Sequence, residues 1–169
     1  MIERADVFLQ NLGPGVCASR GFSEEVTHAL NSSCITCSIS GYGNGGPFER
    51  RKAYDLLIQA ESGLLGVTGS AGEVCKAGVS IADIASGMYA SSTILSALIE
   101  RQSRGKGRHI DVSMLDALVE WMGYPLYYAL DGQAPPARTG AAHSTIFPYG
   151  PYSTADNKSV LLVIQNDRE

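Results

Sequence analysis

The stretch from Ile81 to Gln102 is the longest helical pattern in the chain, and it restricts the fold more than any other feature. Ile81, Ile84, Met88, Ile94, Leu95, Leu98 and Ile99 supply apolar bulk, while Ala85, Gly87, Ala90, Ser91 and Ala97 supply small side chains. A helix that is small and apolar on most sides predicts burial, packed closely against a sheet or another helix. Arg101 and Arg104 suit the negative end of its dipole, and Gly105 and Gly107 release the chain. What flanks this helix sets the class. Ala5–Gln10 reads as a short strand ending at the breaker run from Asn11 to Gly15. Ser23 reads as the N-cap of a helix with Glu24 and Glu25 in its first turn and Val26, Ala29 and Leu30 on one face. Cys34–Ser40 is a second strand, followed by a glycine-rich loop from Gly41 to Pro47 and a helix near Asp55–Ser62. His109–Ser113 is a strand, Leu115–Leu130 a helix, Gly132–Pro136 a turn-rich exit and Val160–Ile164 a last strand. Strands alternating with helices are the pattern of an α/β fold with a parallel sheet.

With 169 residues the chain is one domain's worth of material and can bury a core. A formal net charge of −4 leaves no surplus of Lys and Arg to neutralise nucleic-acid phosphates or an anionic membrane surface. A phosphorylated small molecule is a different matter, since a few well-placed cations suffice for it. No uninterrupted apolar run approaches the roughly 20 residues that span a bilayer. The N-terminal MIERADVFLQN lacks the basic-then-apolar order of a secretory signal, so the expected location is the cytoplasm. The first strand begins almost at residue 1, and little follows the last. Because a parallel sheet needs both faces covered, the chain is expected to be an internal piece of a larger protein.

Four cysteines stand at 17, 34, 37 and 75, and Cys34 with Cys37 matches CxxC in letters. The surrounding CITCSIS is β-branched and reads as a strand, where positions i and i+3 point to opposite faces. Redox pairs sit at helix starts and zinc pairs on tight turns. Buried free thiols in a reducing compartment are the expectation, with no metal.

Asp83 is the residue that stands out chemically. It lies in Gly78-Val79-Ser80-Ile81-Ala82-Asp83, a small and apolar run entering the long helix. A carboxylate there is costly unless the unpaired N–H groups of the helix N-terminus receive it, and those donors would also keep it ionised. Local sequence leaves two readings open, a helix-capping Asp and a carboxylate nucleophile.

Four segments together resemble the family III CoA-transferases: Ala5–Gly15 (ADVFLQNLGPG), Cys37–Asp55 (CSISGYGNGGPFERRKAYD), Ser62–Gly87 (SGLLGVTG…AGVSIADIASG) and Gly105–Ala117 (GKGRHIDVSMLDA). His143–Tyr149 and the run Asn166-Asp167-Arg168 add two weaker matches in the same order. The resemblance implies a Rossmann-like parallel sheet with flanking helices, the partial large domain of such an enzyme. Residues 1–131 would hold the nucleophile-bearing helix, and 132–169 a linker and the start of the next segment. It implies that Asp83 attacks an acyl-CoA and that coenzyme A, as its thioester, is bound without a metal or nicotinamide. By the same resemblance Asn11 and Leu12 lie beside the pantetheine and adenosine, Lys52 meets the phosphates, and Met114 lines the thioester end. Arg20 stands one place from a family arginine, and Tyr54 occupies the position where related CoA-ester racemases carry a His base beside an Asp. An un-ionised phenol is a poor base near neutral pH, which disfavours racemisation. His143 and Tyr149 are further candidates to face the acid substrate. The partners implied are an acyl-CoA, a free carboxylic acid and a second copy of the chain, with no nucleic acid and no membrane. The alternatives are a non-catalytic binding or oligomerisation module and a CoA-ester racemase or isomerase.

Overall fold

The computed structural model describes residues 1–166. Asp167 and Arg168, from the weaker C-terminal match, lie outside the described residues. The centre is a three-stranded parallel sheet in the order β1 (Val7–Gln10), β2 (Ile35–Ser40), β5 (His109–Ser113). Val7 is in register with Ile35, and Thr36 with His109. Two faces result from the alternation along β2 and β5. Cys37, Ile39, Ile110 and Val112 form an apolar face packed against Ala90, Tyr89 and Ile94 of α5 (Ile81–Arg104). On the other face Thr36 Oγ1 meets His109 Nδ1 at 2.7 Å, and His109 Nε2 meets Asp111 Oδ1 at 3.1 Å.

Between β1 and β2 run α1 (Val16–Ser19) and α2 (Glu24–Leu30). Ser23 caps α2 through Oγ, which accepts the Val26 N–H at 3.3 Å. The apolar face expected on α2 is not the packed one. Thr27 is buried, whereas Val26, Ala29 and Leu30 are exposed. Between β2 and β5 lie α3 (Asp55–Glu61), α4 (Leu64–Val67), a short hairpin of β3 (Gly69–Ser70) and β4 (Glu73–Val74), and then α5. Ile58 of α3, Ala82 of α5 and Leu118 form a second core cluster, with Met114, Ile81 and Tyr42 packed around it.

Two helices depart from the sequence expectation. Helix α5 is buried on one side only. Ala82, Ala85, Ser86, Ala90 and Ala97 face inward, and Ile84, Met88, Leu95 and Ile99 are 47–69% exposed. The small residues are what let the helix lie close to the sheet, so the bulky ones point away from it. The helix expected over 115–130 begins a residue earlier, because Ser113 ends β5 and caps α6 (Met114–Val119) by accepting the Asp116 N–H. It then breaks through a 3₁₀ turn at Glu120–Met122 into α7 (Gly123–Tyr128) and a second 3₁₀ turn at Leu130–Gly132. Pro125 explains the break. Its missing N–H is harmless in the first turn of a new helix and costs about 3 kcal/mol inside a continuous one.

The last expected strand is present as β7 (Ser159–Val163), paired antiparallel with β6 (Tyr149–Ser153), a partner that the sequence reading did not include. Arg138 ties the intervening segment back to the first hairpin and to α4 by donating to the Ser70 and Gly66 carbonyls. Among the described residues, no helix is long and apolar enough to cross a membrane.

Candidate active site

Parallel strands deliver their following loops to one end of the sheet, and a crevice forms there. In this chain the loop after β1 brings Asn11, Leu12, Gly13 and Pro14, the end of β2 brings Ser40 and Gly41, and the residue after β5 is Met114. Together with Lys52, Tyr54, Asp55, Asp83 and Ser86 they line one open cleft of about 660 Å³. Gly41 is the stitch at its floor. A Cβ at that position would lie 2.1 Å from the Ala53 Cβ, so only glycine lets the end of β2 approach the segment entering α3. Its carbonyl also accepts the Leu115 N–H at 3.0 Å, which holds α6 to the same point.

Asp83 sits in the first turn of α5 and opens onto this cleft. The sequence reading expected helix-terminal N–H groups to receive its carboxylate and keep it ionised. The structure corrects this. The Ala82 N–H donates to Asp55 Oδ1 at 2.8 Å, so the donor adjacent to Asp83 belongs to another carboxylate. Partial burial, and then repulsion from the Asp55 carboxylate, raise the Asp83 carboxyl above its ordinary range. Asp83 is therefore a carboxyl under mild electrostatic stress at the mouth of an accessible cleft, and among the described residues no backbone N–H at the helix start caps to it.

Asp55 is itself held. Its Oδ2 accepts from Gln59 Nε2 at 2.6 Å, one helical turn along α3, and Gln59 Oε1 accepts the Ala77 N–H at 2.8 Å. Gln59 is completely buried. The sequence reading used Asp55 only as the neighbour of Tyr54 and passed over Gln59. The available signal was an Asp at the first position of a helix with an amide four residues later, which places the two on one face.

The remaining candidates separate cleanly. Arg50 and Arg51 pair with Glu49 and Glu61, and the Arg51 guanidinium lies 4.2 Å from the centre of the Phe48 ring. No carboxylate among the described residues pairs with Lys52, which lines the cleft as an exposed cation. Tyr54 precedes α3 and is 69% exposed. Met114 divides itself between cleft wall and core. Arg20 ends α1, is exposed, and does not line the cleft. Nor do His143 and Tyr149, whose rings pack at 5.1 Å in a separate aromatic group with Tyr124. His143 Nδ1 there accepts the Ile146 N–H at 3.0 Å, a turn-forming role. Cys34 and Cys37 are buried free thiols, and burial pushes both upward in pKa. No group of His, Cys, Asp and Glu among the described residues could hold a metal ion. A second, smaller cavity of about 210 Å³ lies under the polar face of the sheet; it shares Leu12 and Ser40 with the cleft but is not lined by Asp83. Its His109 has both ring nitrogens engaged, by Thr36 and Asp111.

The model of CoA-transferase family III matches residues 1–169. The chain belongs to that family. Among similar family III proteins, the succinate–glutarate CoA-transferase of Agrobacterium fabrum is 37% identical over 99% of this chain and 42% of its own length. The succinyl-CoA:glutarate CoA-transferase of Homo sapiens is 36% identical over 92% of the chain and 36% of its own length. The acetyl-CoA:oxalate CoA-transferase of Acetobacter aceti is 35% identical over 95% of the chain and 42% of its own length. A CaiB/BaiF family protein of Brucella suis superposes with a TM-score of 0.88 at 36% identity, over 99% of the chain and 44% of that structure. The chain thus spans less than half the length of these relatives. The expected α/β fold, a parallel sheet flanked by helices, holds for this family III chain.

Proposed function

We propose that Asp83 is the covalent nucleophile of a CoA transfer between an acyl-CoA and a free carboxylic acid. One Asp83 carboxylate oxygen attacks the thioester carbonyl carbon, the C–S bond breaks, and CoA leaves as thiolate. The mixed anhydride that remains is attacked by this thiolate at the aspartyl carbonyl, which releases the first acid as carboxylate and leaves an aspartyl-CoA thioester. The acceptor carboxylate repeats the sequence in reverse, and Asp83 is regenerated. No proton is gained or lost overall, so the site needs position and electrostatics more than a general base. Covalent catalysis here splits one difficult exchange into steps of comparable energy.

The carrying observation is that Asp83 shares a single cleft with Asn11, Leu12, Lys52, Tyr54 and Met114, which the sequence had marked separately. In this reading Lys52 meets the CoA phosphates as an unpaired cation, Asn11 and Leu12 flank the pantetheine and adenosine, and Met114 gives the thioester end an apolar wall. Tyr54 borders the acyl group and, as a phenol beside Asp55, provides no base for α-proton transfer. Arg20 is outside the cleft.

The test uses the complete polypeptide that carries this sequence. Asp83→Ala is expected to lower CoA transfer by more than about 10³-fold while the protein stays folded. Incubating wild type with acyl-CoA and digesting it should show the adduct on the peptide containing residue 83. Full turnover by a folded Asp83→Ala protein sinks the assignment.

A further inference from the structure

We infer that Gln59 is a positioning residue for the nucleophile, acting through Asp55 and the main chain rather than on the substrate; the inference rests on the reading of Asp83 given above. The observation is a closed path of hydrogen bonds. The Ala77 N–H donates to Gln59 Oε1 at 2.8 Å, Gln59 Nε2 donates to Asp55 Oδ2 at 2.6 Å, and the Ala82 N–H donates to Asp55 Oδ1 at 2.8 Å. Ala77 opens the segment that leads into α5, Ala82 is the second residue of α5 itself, and Asp83 is the next residue. One side chain therefore pins the start of the lead-in directly and the first turn of α5 through Asp55.

The geometry gives Gln59 no other task. Its side chain is wholly buried and does not border the cleft, so it does not touch a ligand there. A buried amide is tolerated only when its donor and acceptor are both matched, and here the acceptor takes the lead-in N–H of Ala77 while the donor holds Asp55, which caps the start of α5. The path also explains why the lead-in needs outside support. Ser80, at the helix start, makes no side-chain cap, so Asp55 supplies the capping oxygen from α3 in its place. Asp83 has one backbone link to a group fixed in another helix. A shift of about 1 Å at such a link costs on the order of 100-fold in rate when a reacting atom must be held near attack distance.

The experiment is Gln59→Leu in the complete polypeptide, with Gln59→Glu as a second variant. Glutamate fills the same space and keeps the Ala77 acceptor; burial beside Asp55 raises its carboxyl, and wherever it is ionised it sets an anion against Asp55 Oδ2 in place of a donor. Both are expected to lower kcat by about 10- to 100-fold while KM for acyl-CoA stays within about threefold, because the binding wall is untouched. Formation of the covalent adduct in a single turnover should slow in parallel. Amide exchange provides a readout independent of activity: the Ala82 N–H, which Gln59 does not contact, should exchange faster in both variants. An unchanged kcat with unchanged Ala82 exchange overturns the inference, as does a rise in KM alone or a rate loss equal to the loss of folded protein. Absence of transfer in wild type fails the functional reading instead, and Ala82 exchange then still decides whether the tie exists.

Discussion

The role proposed for Asp83 makes two demands that usually conflict, reactivity and ionisation. Its carboxyl is raised by partial burial and by Asp55, so the folded protein holds that proton more tightly than the unfolded chain does. Folding then takes up a proton between the ordinary aspartate value of about 3.9 and the raised folded value, and stability falls as pH rises through that window. Asp83→Ala removes the effect. Unfolding midpoints of wild type and Asp83→Ala, followed from about pH 3 to about pH 7, should be most alike at the acid end and favour the variant at neutral pH. A wild type that gains on the variant as pH rises would contradict the electrostatics described. With Asp83 as the proposed nucleophile, the same shift places the acid limb of kcat/KM above the ordinary aspartate value of about 3.9, since a carboxyl attacks only as the anion. Much of this residue was legible in the sequence: its place at a helix start and the surrounding motif marked it. Its charge environment was not, because Asp55 reaches it from 28 positions earlier in the chain, across a turn that no local pattern records.

Among the elements, α5 shows the limits of periodicity most clearly. Its length was readable from Ile81 onward, and its C-terminus from Gly105, which adopts φ 68° where the helix stops. Which side is buried was not readable, because alanines carry little hydrophobic signal and the large aliphatic residues carry most of it. The packed side is nonetheless the alanine side. Ala90 is 1% exposed and touches Cys37 and Val112 of the sheet. Ala90→Leu should therefore cost about 1–3 kcal/mol by overpacking. Met88→Ser, on the outward side, should stay within about 0.5 kcal/mol. Urea midpoints of the two variants check the sidedness, and the reverse order would show that the helix is turned. The hairpin of β6 and β7 was half legible, since Gly150 and Pro151 interrupt the apolar alternation by which strands are recognised.

At the scale of the whole chain, the described surface carries apolar area that a soluble monomer rarely leaves open. Ile84, Met88, Leu95 and Ile99 lie along one side of α5, and Val160, Leu161, Leu162 and Val163 are exposed in a two-stranded sheet. Such faces and edges promote association. Residues 1–169 produced alone should fold, self-associate, and fail to exchange CoA between acyl-CoA and several acids. Light scattering after gel filtration, together with the exchange assay, tests both halves. A soluble monomer with an enzyme-like rate would overturn both expectations.

The cleft draws on Asn11 after β1, Gly41 after β2, Lys52 and Tyr54 ahead of α3, Asp83 at the head of α5 and Met114 after β5. No stretch of sequence shorter than that whole span contains it. For protein engineering this means the site is not portable. A loop graft would carry Lys52 without Asp83, and a transplanted helix would carry Asp83 without the α3 carboxylate that caps it. What can be moved to another scaffold is the end of the sheet, with its strands, and nothing smaller.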